Sequence, residues 1–169
     1  MSNYRFSDFR SDTEKLDFAK TCIWIIHSDK IPPHIGISTK NNFFSLKANG
    51  KDFGLNTQSV FDSLKSKKIE FILLETKLNL ELEYLEKEFN LHKHAIPYQS
   101  SCIAPILNLL MINQSFLLVN LINYLETKQL ILNSFVVNLK SSYPQIVSYS
   151  AIDVANEIEK LQRVERRKS

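Results

Sequence analysis

The chain has 169 residues, of which 44% are hydrophobic and 23% charged, with 21 Lys and Arg against 18 Asp and Glu. These figures fit one globular domain with a sizeable core and exclude wholesale disorder. A net charge of +3, with one dense basic cluster from Arg163 to Lys168, lacks the clustered excess of a dedicated nucleic-acid binder, so none is expected as a partner. Three glycines (Gly36, Gly50, Gly54) cannot assemble a phosphate loop or a dinucleotide fingerprint, and two cysteines cannot form a disulfide framework. The polar stretch Met1 to Asp12 has no apolar signal core. The expectation is a cytoplasmic protein with both thiols free.

In chain order, Ser11-Asp12-Thr13-Glu14 matches a capping box and predicts a short helix to about Ala19. Cys22 to Ile26 is apolar and β-branched, the pattern of a buried strand. Ser28 to Pro33 reads as a loop because its two prolines remove donors and favour extended backbone. His34 to Ser38 predicts a second strand, Lys40-Asn41-Asn42 a turn, and Phe43 to Lys47 a third strand, with Asn49-Gly50 turning the chain again. Thr57 to Lys65 reads as a helix, Ile69 to Leu74 as a buried strand, and Leu78 to Leu91 as an amphipathic helix. A long helix is predicted from about Cys102 to Leu125, with Pro105 tolerated in its first turn. Leu130 to Leu139 fits a strand or a helix, and a C-terminal helix starts near Ser150.

Strands followed by helices predict an α+β fold, a small antiparallel sheet packed against helices. The whole chain, 1–169, reads as a single domain with a C-terminal helical extension over about 150–167.

Three residues stand out chemically. Cys102 follows the capping residues Ser100 and Ser101, and a helix N-terminus there would favour a thiolate and supply amides for an oxyanion. His34 opens a strand after Pro32-Pro33, where its ring could serve such a thiol as a base. Ser45 alternates with Phe44 and Leu46, so in a hairpin it faces the side of His34 and could orient the imidazole. Each also has an ordinary reading: Cys102 as a small buried hydrophobe, His34 as a partly exposed residue beside a loop, Ser45 as a solvent-facing one. His27 lies at a strand end without a matching partner.

Taken together, the strand at Cys22, the His34-Ile-Gly-Ile strand, the tight turn, the Phe43-Phe-Ser-Leu strand and Ser100-Ser101-Cys102 opening a helix resemble a known arrangement. It is that of the circularly permuted branch of the NlpC-like papain-fold superfamily, which includes lecithin–retinol acyltransferase-like and YiiX-like proteins. The resemblance spans roughly residues 20–120. It implies a permuted papain-like core over about 20–125, Cys102 as nucleophile, His34 as general base, no cofactor, and an amide, ester or thioester substrate. The chain departs from the pattern at two places: Ser45 stands where many relatives carry a second histidine, and Ser101 where an asparagine is usual.

Competing readings stay open. His92-x-His94 with Cys102 or His34 could hold a metal, though the spacing matches no strong zinc signature. Ala95 to Leu125 has no charged residue, yet its asparagines are costly in lipid, which favours a packed helix over a membrane span. Peripheral membrane contact through the basic C-terminus, and a protein partner or homo-oligomer, are compatible with the sequence. The main rival to an enzyme is a noncatalytic protein-interaction module in which Cys102 belongs to the core.

Overall fold

The computed structural model describes residues 3–112 and 117–168. Its centre is a six-stranded antiparallel sheet in the order β5-β4-β3-β2-β6-β7. The strands are β2 (Cys22–Ile26), β3 (His34–Thr39), β4 (Asn42–Lys47), β5 (Gly50–Asn56), β6 (Phe71–Thr76) and β7 (Ile131–Val137). A separate two-stranded ribbon pairs β1 (Tyr4–Arg5) with β8 (Gln145–Ile146). The helices are α1 (Thr57–Ser66), α2 (Leu82–Asn90), α3 (Ala104–Leu109), α4 (Leu118–Thr127) and α5 (Ala151–Arg166). The α+β class and the antiparallel sheet are therefore as expected, and Leu130 to Leu139 resolves as a strand.

Alternation along the strands builds two cores. One face presents Ile23, Ile25, Ile35, Ile37, Phe44, Leu46, Ile72 and Leu74, which pack with Leu85 and Phe89 of α2, Ile106 of α3, Leu121, Ile122 and Leu125 of α4, and Ile158 of α5. The other face presents Cys22, Trp24, Ile26, Phe43, Phe71, Leu73 and Phe135 and is covered by Phe61 of α1. Every residue of β2 is thus buried, on whichever face it lies.

The hairpins follow from local chemistry. Lys40 and Asn41 both take positive φ, 48° and 63°, as a two-residue turn of type I′ requires to match the strand twist. Gly36 answers a packing demand instead. A Cβ built there would lie 2.6 Å from Phe43 Cε2, so the bare backbone leaves room for the ring that meets Trp24 edge-on at 5.1 Å. Trp24 Nε1 in turn donates to Ser38 Oγ at 2.9 Å, which satisfies the polar end of a fully buried indole.

Two predicted helices differ in the structure. The stretch from Ser11 to Ala19 forms turns rather than a helix. Asp12 and Asp17 carboxylates accept from the amides of Glu14 and Ala19, an Asx-type local alternative to helix. Just upstream, Arg10 bonds to β7 through Arg10 N to Ser134 O, 2.7 Å, and Val136 N to Arg10 O, 2.8 Å. The expected long helix from Cys102 is also broken: α3 stops at Leu109 and α4 begins at Leu118, while residues 113–116 of that expectation lie outside the described residues. The stop is a Schellman motif, with Ile112 N bonded to Leu107 O, Met111 N to Asn108 O, and Met111 at φ 55°.

The same motif closes α1 at Lys68 (φ 53°, Ile69 N to Leu64 O) and α4 at Gln129 (φ 52°, Leu130 N to Leu125 O). All three left-handed positions carry residues other than glycine, which hides the helix ends from a reading that looks for glycine.

Lys68→Gly and Gln129→Gly should each raise stability by roughly 1 kcal/mol, because an L side chain is strained in that backbone region. Urea unfolding midpoints will read this. Gly36→Ala should instead destabilise by about 1–3 kcal/mol through overpacking against Phe43. A neutral result at Gly36 would show that the aromatic cluster can shift to accept a methyl group.

Candidate functional site

Pro32-Pro33 end the loop that delivers His34 to the first position of β3, opposite Ile26 of β2. That register places the imidazole on the same sheet face as Trp24. Gly36 pairs with Ser45, and Ser45 pairs with Asp52 of β5, so Ser45 and Asp52 lie on the face of His34 as well. Cys102 arrives differently, in a tight turn closed by Ala104 N to Ser101 O at 3.1 Å, two residues before α3. It packs against the core on the opposite face, with its sulfur beside the amide of Ile35.

His34, Asp52 and Cys102 nevertheless line one cavity of ≈ 950 Å³, which rounds the end of the sheet where β3 begins. Its walls are largely apolar, with Leu46, Val60 and Ile158 among them. Both candidate residues are half-buried. Among the described residues, no hydrogen bond joins the thiol to the ring.

Desolvation dominates the electrostatics. Burial pushes the Cys102 thiol up to about 11, against the opposing pull of the amides of Ile35, Cys102 and Ile103. The expected thiolate at a helix start is therefore corrected: α3 has six residues, Cys102 lies ahead of its first turn, and burial outweighs the amides. Burial likewise drives His34 down to about 4; the Asp52 carboxylate works the other way, while Lys47 and His27 add to the fall. At neutral pH the site holds a neutral thiol and a neutral imidazole.

Ser45 is fully buried and donates to Asp52 Oδ2 at 2.7 Å, while Lys47 Nζ holds Asp52 Oδ1 at 2.6 Å. Ser45 thus positions Asp52, and Asp52 is the acidic group that acts on His34. The sequence reading did not name Asp52. The signal is the hairpin register: a strand continuing past the Asn49-Gly50 turn sets Asp52 opposite Ser45. The hydroxyl of Ser101 is buried with no hydrogen-bond partner.

The two histidines of the His92-x-His94 pair each bond a neighbour within the fold. His92 Nε2 meets Glu88 Oε1 at 3.1 Å and His94 Nδ1 meets the carbonyl of Ala95 at 2.8 Å. Among the described residues no group of three or more His, Cys, Asp or Glu side chains could hold a metal ion. Among the same residues no helix is long and apolar enough to cross a membrane.

Because the folded His34 titrates near 4 and the unfolded one near 6.5, the unfolded chain binds the extra proton between these values. Stability should therefore be complete above pH 6.5 and fall as pH drops toward 4, by at most about 1.4 kcal/mol per pH unit from this group. His34→Gln should flatten that decline in urea unfolding midpoints; His27, also lowered by burial, will leave a residual slope. An unchanged slope would mean that His34 is solvated. Comparison of the chain with protein-family models, with curated proteins and with solved structures finds no match in any of the three.

Proposed function

We propose that the protein is a cysteine-dependent hydrolase or acyltransferase of the permuted papain-like type, acting in the cytoplasm on an amide, ester or thioester. The observation that carries the reading is the shared cavity: Cys102, His34 and Asp52 come from three separate parts of the chain and line one space. Its size suits an organic substrate.

A neutral pair fits general-base catalysis rather than a preformed ion pair. As Cys102 Sγ bonds to the substrate carbonyl carbon, the carbonyl π pair moves to oxygen and the thiol proton passes to the ring of His34. Collapse re-forms the carbonyl, breaks the bond to the leaving group, and returns that proton to it. Water or another nucleophile then releases the acyl group by the same steps. Ring and thiol start from opposite faces of the sheet, so the transfer requires them to meet at the sheet end that the cavity rounds; Asp52 is the carboxylate that favours an imidazolium at His34. Apo sites are commonly looser than their substrate complexes.

One observation favours the rival interaction module: burial raises the Cys102 thiol, as it would for a packing residue. Intact-mass spectrometry after exposure to p-nitrophenyl esters and acyl thioesters separates the two readings. The enzyme should take up one acyl group, lose that capacity in Cys102→Ala, and acylate about 100-fold or more slowly in His34→Ala. Its rate should stay flat from pH 5 to pH 8, since His34 is already a free base there. Absence of an adduct, or an adduct indifferent to His34, would leave the interaction module in its place.

A further inference from the structure

We propose that Lys30 and Lys67 form an anion-binding subsite of the cavity, so that its substrate is an organic acid: an apolar body that carries a carboxylate or a phosphate. The two side chains come from different walls. Val60, Ser63, Leu64 and Lys67 stand at helical spacings of three and four, so one stripe along α1 lines the cavity and closes on a cation just past the helix end. Lys30 comes from the loop between β2 and β3, which also brings His27 and the two prolines before His34 into the lining.

Topology carries both walls to the end of the sheet that holds His34. Ile26, the last residue of β2, pairs with His34 on one edge and with Phe71 on the other, and α1 ends at Ser66, shortly before Phe71. The loop that bears Lys30 is tied down there. Lys30 N donates to His27 O at 2.9 Å and Ser28 Oγ to Glu70 Oε1 at 2.7 Å, while Lys140 N donates to Glu70 Oε2 at 2.7 Å.

The acids around this space are already occupied. Glu70 is buried in the bonds just named, and Asp29 binds Lys140. In the cavity wall Asp52 binds Lys47, Glu157 binds Lys160, and Glu165 has a partner too. Among the described residues neither Lys30 nor Lys67 has an ion-pair partner. Both lysines are exposed, so a ligand reaches them from solvent. Two unpaired cations beside Ile26, Phe43 and Leu64 suit an amphiphilic anion: its body leaves water against the apolar wall while its acidic group meets the ammonium groups. As substrate recognition the subsite rests on the proposed function, but anion binding is read without turnover.

Two dyes with one ring system provide the test, since 1-anilinonaphthalene-8-sulfonate carries an anion and N-phenyl-1-naphthylamine does not. In fluorescence titrations the doubly substituted Lys30→Met, Lys67→Met protein should bind the sulfonate about tenfold more weakly than the wild type and the neutral dye equally well. The corresponding double Arg variant should retain sulfonate binding. Raising NaCl from about 0.05 M to about 0.5 M should weaken the sulfonate alone. Phenylacetate or phenyl phosphate should displace it where benzyl alcohol does not, and the stronger competitor identifies the acid. Unchanged sulfonate affinity in the Met variant would overturn the subsite, as would no sulfonate binding to the wild type. An equal loss for both dyes would overturn it as well, because that marks a disturbed cavity. None of these results depends on acylation, so failure here is distinct from failure of the enzyme reading.

Discussion

Burial of β2 on both faces is the constraint around which the remaining structure is arranged. Cys22 to Ile26 hydrogen-bonds to β3 on one edge and to β6 on the other, and its side chains enter two different cores. A one-residue slip would exchange Ile23 and Ile25 for Cys22, Trp24 and Ile26, pushing an indole into an aliphatic layer. Register is consequently held tightly, and register decides that His34 stands opposite Ile26 at the sheet's end. The cost of the aromatic core is met by Gly36, which gives up its side chain so that Phe43 can lie across β3.

The site at that sheet end is governed by desolvation. Three amides converge on the Cys102 sulfur and a carboxylate faces His34, yet burial outweighs both and leaves each group uncharged near neutrality. Lys47 explains part of the imbalance, because it binds the same carboxylate that would otherwise favour an imidazolium.

Much of the architecture was legible because local and global signals agree. The β-branched run at Cys22, the Pro-Pro break before His34 and the helical stripe of α1 each state their element without help from tertiary contacts. The helix at Ser11 failed for a local reason: two aspartates offered amides a closer partner than the next helical turn. The helix from Cys102 failed because its stop uses Met111 in a left-handed conformation, a role that sequence reading assigns to glycine or asparagine. At the site, the alternation of Phe44, Ser45 and Leu46 was enough to set Ser45 on the side of His34. It was not enough to show that Ser45 spends its hydroxyl on Asp52.

By itself, then, the sequence determined the α+β class, most strand and helix positions, the lack of any glycine-built nucleotide loop, and the nomination of Cys102 and His34. These follow from periodicity, composition and turn chemistry, which act over a few residues. Only the tertiary structure decided that Asp52 enters the site, that the thiol is raised rather than lowered, and that α5 walls the cavity. Each of those depends on segments far apart in the chain, where hairpin register sets neighbours and the surrounding core, rather than the residue type, sets the dielectric that a charge would feel.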